Sequence, residues 1–293
     1  MIETSLNRQD RRESDKTVQA TQLSDGVCEL PGGLVLGDRR LGRAELRPLT
    51  GREEEWVTRH AGAASAHLVT KLLSACLVQL EDVPVNSDII SKLLVGDRDY
   101  LILQLRRMTL GDRFAAVFSC PACKRAMDVE FHAQDVFVEA RPQTETVYTL
   151  DVDGGQRVVL YRLPNGADQE AVADLSPRDA VEALLARCIV PGLGGAPLTE
   201  EERAAVIAEM DRRAPQIDLE LDLNCPECGH SFTTPFDCTS FFFSEIRAHS
   251  RHLMREVHYL ALHYHWSESE ILNLQRDRRR GYLALLNETL GHG

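Results

Sequence analysis

The sequence predicts an α+β protein with four features: helices joined by short β-hairpins, a four-cysteine zinc ribbon assembled from two distant CPxC knuckles, an internal duplication, and a C-terminal helical hairpin. Three observations carry that expectation. Cys120-Pro121-Ala122-Cys123 and Cys225-Pro226-Glu227-Cys228 each lie between strand-like runs. The order strands, helices, knuckle occurs twice. After the second knuckle a single helical period takes over, from Thr239 to His263.

The knuckles come first because they tie the chain together. Phe114–Phe118 leads into the first and Met127–Phe131 leads out; Ile217–Leu223 leads into the second and Phe232–Phe236 leads out. Cys120, Cys123, Cys225 and Cys228 would supply four thiolates in a tetrahedron, a closed structural site for one Zn2+ ion. A redox CxxC would open a helix, whose N-terminus lowers the thiol pKa, and no helical pattern follows either motif. Lys124-Arg125 would favour the thiolates electrostatically, and Gly229 stands where φ has to turn positive. His230 or Cys238 could replace one ligand. With all four positions filled by protein there is no place for an exchangeable water, so the ion reads as structural.

Composition narrows the setting. Of 293 residues, 43% are hydrophobic and 27% charged, enough for a sizeable core. No apolar run approaches a membrane span, and Met1 to Ser24 lacks the apolar stretch of a signal peptide. Four of the eight cysteines sit in the knuckles, and Cys28, Cys76, Cys188 and Cys238 are scattered. That usage is metal binding in a reducing compartment, so the protein is expected to be cytoplasmic. A net charge of −12 argues against general nucleic-acid binding. Arg276, Arg278, Arg279 and Arg280 form a local basic cluster that reads as a solvated helix face or a protein contact.

In chain order, residues 1–25 are charged and poor in apolar side chains, a disordered tail by composition. Gly32–Gly37 and Arg43–Arg47 read as short strands, and Thr50-Gly51-Arg52-Glu53 is a capping box opening a helix through Trp56. A second helix is expected over Ala66 to Leu80, with Cys76 as a buried small hydrophobe. A short helix over 88–95 precedes a longer one, in which Asp97 is expected to cap and Arg106-Arg107 to be exposed. Asp112 is a turn residue before the first knuckle.

The order then starts again. Thr146–Leu150 and Arg157–Tyr161 form a hairpin around Asp153-Gly154-Gly155. Leu163-Pro164-Asn165-Gly166 opens a helix as Leu49-Thr50-Gly51 did, Leu184–Cys188 echoes Leu72–Cys76, and a capped helix runs from Thr199 to Arg213. We read this as a duplication in which each half contributes two thiolates. The expected domains are therefore the tail (1–25), a first half with its knuckle (26–135), a second half with its knuckle (136–237) and a helical hairpin (238–293). In that hairpin Trp266-Ser267-Glu268-Ser269-Glu270 carries a second capping box, followed by a last helix over Asp277 to Leu290.

Chemistry is conspicuous by the motifs that are missing. His249, His252, His258, His263 and His265 make no HExxH, and there is no phosphate-cradling loop and no GxSxG elbow. The expectation is a protein that binds and assembles and is not an enzyme. Two other readings stay open: a zinc-ribbon protein associated with nucleic acid or the transcription machinery, and a zinc hydrolase.

A resemblance sharpens the binding-and-assembly reading. Arg43-Ala44-Glu45-Leu46-Arg47-Pro48-Leu49-Thr50, Leu94-Val95-Gly96-Asp97-Arg98-Asp99, Leu105–Asp112 and the first CPxC together resemble baseplate proteins of contractile phage tails. They are most similar to the T-even phage baseplate hub assembly proteins (chaperones), and versions with a second CPxC are similar to proteins of extracellular contractile injection systems. The segment Leu262–Ser267 with Glu270-Ile271-Leu272 is similar to the ends of phage tail proteins. The resemblance implies a non-enzymatic role in building or completing the baseplate, with hub or wedge proteins as partners. It implies no catalytic residues, no small-molecule substrate and no membrane.

Overall fold

The strands of this chain gather into small sheets threaded between helices, as an α+β protein requires. The computed structural model describes residues 26–63, 65–155, 157–190, 197–218 and 220–291; the tail expected over 1–25 lies outside the described residues.

Strand β1 (Val27–Leu36) pairs antiparallel with β2 (Arg39–Leu46). Thr50 then caps α1 (Gly51–Arg59) with the full capping box, Glu53 accepting the Thr50 N–H at 2.7 Å. Helix α2 (Ser65–Cys76) buries Leu68, Val69, Leu72, Leu73 and Cys76. It stops short of the predicted Leu80. Leu77–Leu80 is instead strand β3, with Leu80 opposite Ala44, because the free edge of β2 needs partners for its backbone groups. With β4 (Val83–Pro84) it completes a four-stranded sheet in the order β1-β2-β3-β4.

Asn86 caps α3 (Ser87–Lys92), and α4 (Val95–Leu110) crosses behind the sheet with most of its residues buried. Two expectations fail on α4. Asp97 caps nothing: its Oδ1 accepts the Gly32 N–H at 2.7 Å, tying the helix to β1. Arg106 and Arg107 are not exposed, since only 3% and 7% of their side chains meet solvent. Asp97 and Arg106 find partners that sequence spacing cannot reveal.

The first knuckle hairpin is β5 (Arg113–Ser119) with β6 (Ala126–His132), followed by β7 (Phe137–Glu139). The second set of elements begins with β8 (Tyr148–Val152) and β9 (Arg157–Tyr161), a hairpin at the expected place. Helices α5 (Gly166–Val172) and α6 (Pro177–Cys188) follow, then β10 (Ile189–Val190) beside β9, and α7 (Glu200–Arg213), capped by Thr199. The single strand expected over Ile217–Leu223 is divided. Its first part, β11 (Gln216–Asp218), pairs with β7, while β12 (Glu220–Asn224) pairs with β13 (Ser231–Pro235) around the second knuckle. Helix α8 (Cys238–Tyr264), capped by Asp237, leads to α9 (Glu268–Leu272), which has the predicted Ser267/Glu270 capping box, and α10 (Arg276–Thr289).

The two sets share particular bonds. Arg47 N–H donates to the Cys76 carbonyl at 2.9 Å, and Arg162 N–H donates to the Cys188 carbonyl at 2.9 Å. Arg47 also grips the capping residue Glu53, as Arg162 grips Asp168. Burial falls into four clusters. One packs α2, α4 and the start of α8 against the large sheet, and one lies between the knuckle hairpins. A third fills the second set of elements, and the last joins the end of α8 to α9 and α10.

Candidate metal centre

Each knuckle is a tight turn built by its own backbone. Cys120 N–H donates to the Arg125 carbonyl and Lys124 N–H to the Cys120 carbonyl, both at 2.9 Å. The second turn repeats this: Cys225 N–H to His230 O and Gly229 N–H to Cys225 O, again both at 2.9 Å. The fifth position must enter the left-handed region, and φ is +71° at Gly229, as predicted, and +62° at Lys124. A lysine there bears a cost that glycine avoids.

The two turns face each other. Cys120 Sγ lies 3.7 Å from Cys228 Sγ, and Cys123 Sγ lies 3.6 Å from Cys225 Sγ. All four sulfurs fall within 4.8 Å of one another. A disulfide would need about 2.05 Å, so these sulfurs are unbonded to each other. A tetrahedral ion with metal–sulfur bonds of about 2.3 Å spaces its sulfurs about 3.8 Å apart. The four cysteines are thus placed to hold a metal ion. Cys120 and Cys225 are buried while Cys228 is exposed, so one side of the cluster meets solvent.

The thiols act on one another. Backbone N–H groups of Cys123 and Ala122, against the cost of burial, hold the Cys120 thiol down at about 6. The His230 N–H favours the Cys228 thiolate, but burial and the three neighbouring sulfurs prevail and push that thiol up to about 12. A bound cation would replace this mutual repulsion with attraction, releasing protons as it binds.

His230 stacks on Phe232 and stands outside the sulfur cluster. Cys238 packs against the ribbon core, where burial pushes its thiol up to about 12. Among the described residues the four knuckle cysteines are the one group of three or more ligand side chains within metal-binding reach. His249 and His252 come no nearer than ring centroids 6.0 Å apart, and His249 Nδ1 meets the Glu245 carbonyl oxygen. The basic cluster near the C-terminus is partly spent inside the molecule: Arg276 and Arg279 are buried, and Arg279 pairs with Glu54 and Glu256.

Three residues around the centre have roles that sequence reasoning did not assign. Arg125 pairs with Glu227 at 2.7 Å, joining the tips of the two knuckles. Lys124 holds the left-handed turn; its alignment with Gly229 was the available signal. Arg106 secures the ribbon to the body: it forms a two-pronged pair with Glu245 of α8 and lies 3.8 Å over the Phe114 ring of β5.

A comparison with known protein families matches residues 34–191 to the T4 bacteriophage base plate protein family. The match spans more than half of the chain. The chain belongs to this family. The baseplate family region ends before the second knuckle, so the sulfur cluster joins one pair of cysteines inside that region to one pair beyond it. No curated protein and no solved structure matches the chain. Membership in the baseplate family supports a structural role in the phage baseplate and contact with other baseplate proteins. No helix among the described residues is long and apolar enough to cross a membrane.

Proposed function

We propose that this protein is a non-enzymatic, zinc-binding assembly or structural component of a contractile tail or injection-system baseplate, related in role to the hub assembly proteins. It acts by binding hub or wedge proteins. The observation that carries this reading is the combination of baseplate family membership with a closed set of four sulfurs. Four thiolates in a tetrahedron suit zinc, and a filled coordination shell suits structure over hydrolysis. The reducing cytoplasm in which a particle is assembled keeps such thiols available.

The ion would fasten β5–β6 to β12–β13, giving a rigid ribbon anchored through Arg106. The burial of Arg276 and Arg279 weakens the nucleic-acid alternative, because much of the basic cluster is already paired with carboxylates. The test is co-purification of the zinc-loaded protein with individually expressed hub and wedge proteins. Retention of one of them, insensitive to nuclease, is expected. Failure to retain any, with salt-sensitive retention on DNA, would overturn the reading.

A further inference from the structure

A second repeat runs through the molecule, offset from the knuckles and involving the contacts between its parts. Helices α3–α4 and α9–α10 are equivalent pairs carrying the same spacing of residues: Ile90, Leu93, Arg98 and Leu105 in one, Ile271, Leu274, Arg279 and Leu286 in the other. Leu94 and Gln275 stand immediately before the second helix of each pair, both in extended backbone and neither with a side-chain cap. Each instead forms an antiparallel bridge to the capping residue of a helix elsewhere: Leu94 to Asn165, Gln275 to Thr50. The next residue of that helix, a glycine both times, donates its N–H to the preceding carbonyl: Gly166 to Leu93 at 3.0 Å and Gly51 to Leu274 at 3.2 Å.

The arginines complete the clamp. Arg98 and Arg279 are both fully buried. A Cβ on Gly166 would strike the Arg98 guanidinium, and one on Gly51 would crowd Arg279 at 3.1 Å. Each arginine faces a glutamate of the helix it clamps, Glu170 at 4.0 Å and Glu54 at 2.6 Å. The pairing is crossed. Helices α3–α4 follow the first set of elements yet clamp α5 of the second, while α9–α10 follow the second set and clamp α1 of the first. This is the contact pattern of two subunits exchanging arms, held within one chain.

The two clamps differ in how firmly they are held. Helix α4 runs through the first core and cannot leave it, whereas α10 buries only Arg276, Arg279 and Leu286. The connection from α8 to α9 is His265 and Trp266 before the Ser267 cap, and His265 is held at φ +55°. A short hinge with a non-glycine residue in the left-handed region is the arrangement that favours exchange between copies, since opening relieves the hinge and every docked contact can be remade.

We propose that the α9–α10 arm also docks in trans, onto α1 of a second copy of this chain, so that two copies are joined by reciprocal arm exchange. The recognition is chemical: the Thr50–Gly51 backbone, the Gly51 cradle and Glu54 accept the Leu274–Gln275 backbone and Arg279 of the partner copy.

The test uses two full-length, metal-loaded single variants, Arg52→Cys and Asn273→Cys. These side chains are exposed and hydrogen-bonded to each other across the α1–α9 contact. Mixed over a concentration series under mild oxidation, they should give a disulfide-linked heterodimer well above the level either variant gives alone. Adding His265→Gly to both chains, which removes the hinge cost in the closed form, should lower that yield several-fold. The double variant R52C/N273C in one chain should close internally at low concentration. Internal closure without heterodimer at any concentration would overturn arm exchange. Failure of internal closure would overturn the docked contact itself, and a yield indifferent to His265→Gly would overturn the role of the hinge.

Discussion

Cys123 and Cys225 stand 102 positions apart in the chain and 3.6 Å apart between sulfurs. Nothing in the hairpins alone brings them together. The core beneath them supplies Phe114, Val129, Phe131, Leu221 and Leu223, and the salt bridge Arg125–Glu227 closes the tips above. An ion at the centre would close a long loop, the situation in which a cross-link removes most freedom from the unfolded chain.

Cys225→Ser should therefore lower the metal content and loosen the ribbon, read by elemental analysis and by faster amide exchange in β5, β6, β12 and β13. Cys76→Ser should leave the metal content unchanged. Cys76 is buried in the first core, where burial pushes its thiol up to about 12, so its loss is a core change of roughly 1–3 kcal/mol. Equal metal loss from both substitutions would contradict the ligand assignment.

Lys124→Gly should stabilise the metal-loaded protein by about 1 kcal/mol, because φ is +62° there and a side chain makes that conformation costly. Gly229→Ala should cost a similar amount. Thermal unfolding of the two variants beside the parent checks both signs; a destabilised Lys124→Gly would show that the lysine side chain contributes more than its backbone costs.

Asp97 should shape the pH dependence of stability. Burial, opposed by the Gly32 and Gly33 N–H groups and Arg40, pushes its carboxyl up to about 7. The folded pKa lies above the ordinary value of about 3.9. The folded state therefore holds this proton more tightly, and the contribution is full below about pH 4 and lost as pH rises through about 7. Asp97→Asn should flatten the decline over that window, by on the order of 1–4 kcal/mol between its ends. Asp99, raised to about 6 chiefly by burial, keeps part of the slope in the variant. Urea unfolding of both proteins at matched pH values tests this, and parallel curves would refute it.

Arg106→Leu should separate ribbon from body. It removes the partner of Glu245, which is largely buried, and the cation over Phe114. The expected loss is about 3–5 kcal/mol, the usual consequence of leaving one member of a buried pair behind. The double change Arg106→Leu with Glu245→Leu should recover much of it, and no recovery would argue against pairing as the cause.

What the sequence disclosed was chiefly local. The two CPxC turns, Gly229, the Thr50/Glu53 and Ser267/Glu270 capping boxes and the long period of α8 depend on neighbours a few residues away. What it concealed was set by distant partners. Strand β3 exists because β2 offers it an edge, so the helical period through Leu80 was overridden. Arg106 and Arg279 looked like solvent-facing charges because Glu245 and Glu54 lie 139 and 225 residues away in sequence. The spacing shared by Ile90–Arg98 and Ile271–Arg279 was present in the sequence all along. It becomes legible only when Gly166 and Gly51 are seen in contact with those two segments.

The most direct test of the account is X-ray absorption at the zinc edge, with elemental stoichiometry, on protein purified without chelator. One zinc per chain bound by four sulfurs at about 2.3 Å is predicted. Zinc absent, or bound with nitrogen or oxygen in place of any of the four sulfurs, would contradict it.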